Sequence, residues 1–459
     1  MALGLRFKKT VPTEKIDAVA GKIPGILAEA AARDEEAVRT SRKILEKITG
    51  GTPLQKVGVR FWTGELWPND APRPATIVLN HPGSLRQMLS GGSEVTVGEA
   101  YLNEDFDVEG DIEAAFEFAD VLAAQTRGWT QTLSIVNLLH HLPDVKTQER
   151  SARERGARLN GAKNSPARDR NAVRFHYDVS NAFYSLWLDP RMVYSCAYFE
   201  NAGTSLEEAQ ARKLDLICRK LDLQPGERLL DIGSGWGGLL IHAATRYGVK
   251  TDGITLSERQ LEWTRRLIEE NGLQDRVTVR LLDYRELKER EAYDKIVSVG
   301  MVEHVGRKNL LTYFGQAVAL LKTGGLFLNH GIGLGPVPRL NEGESFIDRY
   351  VFPDTDLFPL AEMLAPAEKA GLEVRDVDSL REHYAMTLRH WVRNLEAHHA
   401  EARQEIDEAA YRIWRLYMAG SAHGFQVGYL TIYQTLLAKI DRRGRSVAPL
   451  TREAWYRKK

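Results

Sequence analysis

At Leu229-Leu-Asp-Ile-Gly-Ser-Gly-Trp-Gly-Gly238 an apolar run ends in a carboxylate and breaks into glycines. Such a segment fits a strand that turns sharply into a helix. Glycine adopts backbone angles that other residues avoid, and it lets the chain approach a ligand closely. The spacing GxGxGG, with Asp231 just ahead of it, differs from the spacing usual for nicotinamide dinucleotides; an ordinary strand–helix turn is the plain alternative. Candidate strands at 227–232, 249–254, 276–282, 293–299 and 325–331 alternate with helical stretches such as 257–272 and 308–322. This alternation predicts an α/β fold with a doubly wound, mainly parallel sheet. Beyond residue 355 the pattern predicts mainly helix. Over 387–440 Trp, Tyr, Leu and Arg recur at helical spacing, as core or as the lining of a groove.

A chain of 459 residues is long enough for two or three domains. The first 143 residues mix types: 25–47 and 111–141 read as helix, and 57–67 and 74–80 as strands around the turn-rich Pro68–Pro74. From 144 to 174 the composition shifts to nine Lys and Arg against four Asp and Glu. That stretch reads as a basic linker over 144–171, either a solvated hinge or a strip for anionic headgroups. The 62 basic and 62 acidic residues balance, which argues against nucleic acid as a partner. The two cysteines, Cys196 and Cys218, form no CxxC pair, so no metal site is expected and a reducing compartment is. Neither a signal peptide nor a run of about 18 apolar residues is found, so any lipid substrate has to be approached from the side.

The glycine turn resembles the first motif of class I methyltransferases, which implies S-adenosylmethionine as cosubstrate. Asp231, Gly233, Gly235 and Gly237 would then form the loop at its amino-acid end. Asp252 sits too early in the second strand to reach a ribose, so that role is assigned to Gln260, with Thr255 and Leu256 as pocket walls. Asp283 is assigned to the adenine amino group and Tyr284 to the ring face, or to a plain edge contact.

Several further motifs narrow the resemblance. They are His176-Tyr-Asp-Val-Ser-Asn-Ala-Phe-Tyr184, Met192-Val-Tyr-Ser-Cys-Ala-Tyr-Phe199, Ala209-Gln-Ala-Arg-Lys213, Val299-Gly-Met-Val-Glu-His-Val-Gly306, Leu328-Asn-His-Gly-Ile-Gly333 and Tyr350-Val-Phe-Pro353, with Tyr384 ahead of Thr387-Leu388. In this order they resemble cyclopropane-fatty-acyl-phospholipid synthases and their mycolic acid relatives, from about 172 to the C-terminus. Val97-Gly-Glu-Ala-Tyr101 with Asp105 and Asp107 extends the likeness into the first domain. The resemblance implies a Rossmann-like catalytic domain at 172–459 with an acyl-chain site, and a smaller α+β, lipid-associated domain at 1–143. The implied reaction adds a one-carbon unit across the cis double bond of an unsaturated acyl chain in a phospholipid and closes a cyclopropane ring.

The resemblance also implies a bound bicarbonate as the base, held by Glu303, His330, Tyr384 and the backbone of Cys196 and Ile332. Tyr177 and Ser180 are assigned to the cosubstrate's carboxylate end, and His304 to a structural role facing away from Glu303. Phe183, Tyr184, Tyr350, Phe352 and Trp391 are either tunnel walls or ordinary core. The expected setting is cytoplasmic, peripheral on the inner face of the membrane, with unsaturated phospholipid as partner and a homodimer as a further expectation. Two other outcomes stay open: a methylene- or methyl-branched product, and a small-molecule methyltransferase. If the strip at 150–170 touches headgroups, neutralising several of its arginines will reduce cosedimentation with anionic vesicles at low salt. Unchanged sedimentation reduces it to a linker.

Overall fold

The computed structural model describes residues 23–52, 54–125, 129–145, 156, 161–163, 165, 168–172, 179–338 and 343–456. The chain divides into two compact units, Met1–Arg150 and Ser151–Lys459. Most of the proposed linker at 144–171 lies outside the described residues.

In the first unit, helix α1 (Ile23–Ile48) buries Ala37, Val38, Ser41, Ile44, Leu45 and Ile48, the one-sided spacing of a helix laid on a core. Strands β1 (Val57–Arg60), β2 (Leu66–Trp67), β3 (Ala75–Leu79) and β4 (Phe106–Gly110) form a sheet ordered β2-β1-β3-β4. The stretch 57–67, read as one strand, is two antiparallel ones. The chain folds back where the Phe61 N–H donates to the Glu65 carbonyl at 2.9 Å and Gly64 takes φ +88°. The stretch 111–141, read as one helix, holds two, Phe116–Gln125 and Trp129–His140, and residues 126–128 between them lie outside the described residues.

The second unit is built on a seven-stranded sheet ordered β10-β11-β9-β8-β5-β6-β7. Its parallel part comprises β5 (Arg228–Ile232), β6 (Lys250–Thr255), β7 (Val277–Leu281), β8 (Tyr293–Val299) and β9 (Leu321–Leu334). The chain runs from β5 outward through β6 and β7, then crosses back to place β8 on the other side of β5. Connections therefore leave the C-terminal ends of β5 and β8 in opposite directions, and a crevice opens between them.

Two strands depart from the expectation of helix beyond 355. These are β10 (Glu373–Ser379) and β11 (Leu430–Ala438), and they extend the sheet antiparallel beside β9. Nearly all of β11 is buried, so it shows no period-two alternation and merges in sequence with the apolar helix before it. β10 is half-exposed and polar, so it carries no apolar run. β9 also outruns its expected span, because β11 pairs with it from Leu334 back to Leu326.

One close approach fixes how the end of β8 sits on β9. A Cβ on Gly331 would lie 2.1 Å from Val302 Cγ1. Gly331→Ala is expected to cost about 1–3 kcal/mol by overpacking. Adding Val302→Ala should recover part of it, because the nearest remaining atoms would then be Glu303 Oε2 at 3.4 Å and Val302 Cβ at 3.5 Å. Equal denaturation midpoints for the single and double variants would show that this contact sets nothing.

Candidate active site

β5 ends in the glycine turn. Leu229 and Leu230 are fully buried, and Gly233, Gly235 and Gly237 have φ of +83°, +54° and +84°. A side chain is disfavoured at all three positions. At Gly237 it is also blocked, since a Cβ would lie 2.6 Å from Thr264 Cγ2. The turn opens a cavity at the crevice of the sheet. Asp231, Gly233, Gly235, Thr255, Leu256, Gln260, Asp283 and Tyr284 all line it, contributed by the ends of three successive strands. Gly237 does not line it; it packs on Thr264 just behind.

Gln260 is buried, and its carboxamide oxygen accepts from Thr255 Oγ1 at 2.7 Å. That bond fixes which end of the amide is taken and leaves its N–H groups for a hydroxyl. Asp252 points elsewhere, paired with Arg228 at 2.6 Å. The Asp283 carboxylate is gripped by the Arg285 guanidinium at 2.8 and 2.6 Å, and Arg285 also donates to Asp169 at 2.9 Å. The Tyr284 ring meets Tyr313 edge-on, and burial pushes its hydroxyl up to about 12.

Ser180 departs from its assignment. It caps the helix Asn181–Ser185, its hydroxyl donates to Glu405 at 2.6 Å, and it lines no part of the cavity. Tyr177 lies outside the described residues, as do His176 and Asp178. Tyr194, Ser195 and Lys213 line the cavity without having been assigned to it. The motifs that hold them were visible, but nothing in a linear motif says which of its side chains turn inward.

A second cavity lies against the first. Tyr194, Ser195, Val299, Gly300, His304 and Phe352 belong to the walls of both. Cys196, Glu303, Ile332 and Tyr384 line the second cavity, with apolar neighbours that include Leu388, Phe425, Leu430 and Ile432. β8 delivers Glu303 through a 3-10 turn, Val302–His304. Burial holds the Glu303 carboxyl up at about 7. Its Oε1 lies 3.4 Å from the Ile332 N–H, and its Oε2 has no partner among the described residues. His330, on β9, is fully buried and is in the lining of neither cavity; its carbonyl accepts from the N–H of Gly300, which lines both, at 2.8 Å. The His330 Nδ1 is 3.4 Å from Gln434 Nε2, its Nε2 has no partner among the described residues, and burial pushes its pKa well down. The Cys196 thiol turns to the Ala197 and Leu380 carbonyls at 3.3 and 3.7 Å, and burial pushes its pKa up, as befits an inert thiol.

His304 does not face away from Glu303; it lines both cavities, because a 3-10 turn lacks the alternation of a strand. Its ring centroid is 5.6 Å from that of Phe352, and burial lowers its pKa to about 4. Among the aromatics weighed as tunnel walls, Phe352 lines both cavities. Phe183, Tyr184 and Trp391 belong instead to a buried aromatic cluster with Trp187 and Trp414, and Tyr350 packs on Phe346.

A glycine turn at the sheet crevice, an amide after the second strand and a carboxylate–aromatic pair after the third define a class I S-adenosylmethionine-dependent methyltransferase. The family model described as mycolic acid cyclopropane synthetase matches residues 164–435, and the chain belongs to this family. It is 40% identical over 87% of its length to a probable fatty acid methyltransferase of Pseudomonas putida, covering 96% of that protein. It is 34% identical over 82% of its length to the cyclopropane-fatty-acyl-phospholipid synthase of Escherichia coli, covering 91% of that one. Among solved structures, mycolic acid cyclopropane synthase CmaA1 complexed with SAH and CTAB matches with TM-score 0.56 and 35% identity, over 59% of this chain and 98% of that one. The protein is thus an enzyme that uses S-adenosylmethionine to modify lipid.

The buried Glu303 makes stability depend on pH. Its folded-state pKa of about 7 lies above the ordinary 4.5, so the folded state holds the proton longer than the unfolded chain does. Stability is therefore lost as pH rises through that window. In bicarbonate-free buffer Glu303→Gln should match the wild type below pH 4.5 and exceed it above pH 7, by on the order of 3 kcal/mol. Parallel denaturation curves across pH would remove the buried carboxyl from this role.

Proposed function

We propose that the enzyme transfers the sulfonium-bound carbon of S-adenosylmethionine to the cis double bond of an unsaturated phospholipid acyl chain and closes a cyclopropane ring. The shared wall carries this reading: a cosubstrate cavity and an apolar cavity meet at Tyr194, Ser195, Val299, Gly300, His304 and Phe352. An alkene is a weak nucleophile, and its methylation leaves a carbocation that water would trap. The acyl chain therefore needs a dry channel, and Leu388, Phe425, Leu430 and Ile432 supply apolar walls. The positive charge needs polar groups held in place beforehand, and ring closure needs a proton acceptor.

Glu303 Oε2 and His330 Nε2 are a buried acceptor and a buried nitrogen without partners, which suits a small oxyanion that carries a hydroxyl. Bicarbonate, when bound there, supplies the base. Glu303 would accept its hydroxyl, His330 and Tyr384 would donate to its oxygens, and the backbone at Cys196 and Ile332 would complete the pocket. The remaining assignments follow the first cavity: Gln260 for the ribose hydroxyls, Asp283 for the adenine amino group, and Asp231 with the glycine turn for the amino-acid end.

Intact phospholipid is favoured over a protein-carried acyl chain by coverage. The Escherichia coli phospholipid synthase matches over 82% of this chain, whereas CmaA1 matches over only 59%. No helix among the described residues is long and apolar enough to cross a membrane. A peripheral approach to the lipid from the cytoplasmic side is part of the same proposal. A second reading has its own support, since the Pseudomonas putida relative is named a probable fatty acid methyltransferase. A hydride shift before proton loss would give a methylene-branched chain if the proton leaves the added carbon, or a methyl-branched alkene if it leaves the chain.

Incubation with S-adenosylmethionine, bicarbonate and vesicles of cis-unsaturated phospholipid, followed by proton NMR of the acyl chains, decides between them. Ring protons are expected; vinylidene or branch-methyl signals instead would select the second reading. Glu303→Gln should lose nearly all turnover, at least about 100-fold, while still binding S-adenosylhomocysteine. Unimpaired turnover would take Glu303 out of the mechanism.

A further inference from the structure

The first cavity contains a buried cation that no assignment uses. Lys213, on the helix Leu206–Lys220, is 1% exposed and lines the cavity. Among the described residues its ammonium makes one hydrogen bond, 2.8 Å to Ser195 Oγ, a neutral hydroxyl. An ammonium carries three donors, so two are left over. Asp189 does not take them. Its carboxylate accepts from the Val193 and Arg191 N–H groups at 2.9 and 3.3 Å and pairs with the Arg191 guanidinium at 3.6 Å.

Across the same lining stands a complementary deficit. Asp231 is 3% exposed, and among the described residues its Oδ1 has no partner. Burial lowers Lys213 to about 8 and raises Asp231 to about 7, so each is pushed toward neutrality. Buried ions are ordinarily paired. Here an unfilled donor set and an unfilled acceptor face one cavity without making a close ion pair with each other. The ligand that completes both carries a carboxylate and an ammonium a few ångströms apart, which describes an α-amino acid end.

We propose that Lys213, with the Ser195 hydroxyl that it holds, receives the α-carboxylate of the cosubstrate's methionine end, while Asp231 takes the α-ammonium. This rests on the reading of the first cavity as the S-adenosylmethionine site. Ser195 lies in the wall common to both cavities, so the same contact orients the sulfonium toward the acyl channel.

Calorimetry of the full chain with S-adenosylhomocysteine and with its decarboxylated analogue tests the assignment. In the wild type, loss of the carboxylate should weaken binding about 10- to 100-fold, the range of a charge-assisted contact. In Lys213→Met the two ligands should bind alike, both near the wild type's affinity for the decarboxylated one. Ser195→Ala, a smaller change that leaves the ammonium in place, should lose part of the same preference. A Lys213→Met protein that keeps the full preference overturns the assignment. So does one that keeps it but needs more bicarbonate for turnover, which would move the ammonium's role to the neighbouring cavity. If Lys213→Met fails to fold, an undiminished preference in Ser195→Ala overturns it as well. Wild-type protein that binds neither ligand would sink the cosubstrate reading itself, and this inference with it.

Discussion

The catalytic unit depends on the position of β5, with β6 on one side and β8 on the other. Because the chain leaves the two strand ends in opposite directions, the sheet leaves a gap there that no side chain of the described residues fills. The glycine turn borders this gap from β5, and the Val302–His304 turn borders it from β8. Only backbone without side chains can pass so close, as Gly237 against Thr264 and Gly331 against Val302 show. The first cavity and the apolar cavity therefore meet along one short wall, and their adjacency follows from strand order.

Around that gap the protein keeps ionisable groups dry and incompletely paired. Asp231, Lys213, Glu303 and His330 are all buried, and burial pushes each toward its neutral form. Elsewhere in the unit two buried lysines are satisfied: Lys220 reaches Asp378 at 2.7 Å, and Lys295 donates to the Leu221 carbonyl at 2.6 Å. The contrast separates groups that hold the fold together from groups left open at the crevice. Leaving a buried polar atom unpaired costs on the order of 1–3 kcal/mol. The fold tolerates that cost at the crevice, where a bound molecule can restore the missing partners.

The two antiparallel strands do more than widen the sheet. β11 contributes Leu430 and Ile432 to the apolar cavity and Gln434 to the Nδ1 side of His330. A segment read from its composition as more helix thus forms one side of the apolar cavity. Conversely, most aromatics weighed as channel walls pack against one another, and among those residues Phe352 alone reaches the cavities. Rings with strong apolar character bury themselves wherever room exists, so their presence in a motif says little about a ligand.

The glycine turn, the alternation of strand and helix, and the order of the separate motifs were legible along the chain. They rest on local rules: which residues accept positive φ, which periodicity suits a strand or a helix, which polar types serve an anion. Direction and adjacency were not legible. That His304 shares the wall with Glu303, that Ser180 turns to Glu405, and that Lys213 and Asp231 border one cavity all depend on segments far apart in sequence. A side chain's direction is set by the turn that carries it and by what packs on the other side, and only the closed sheet supplies both.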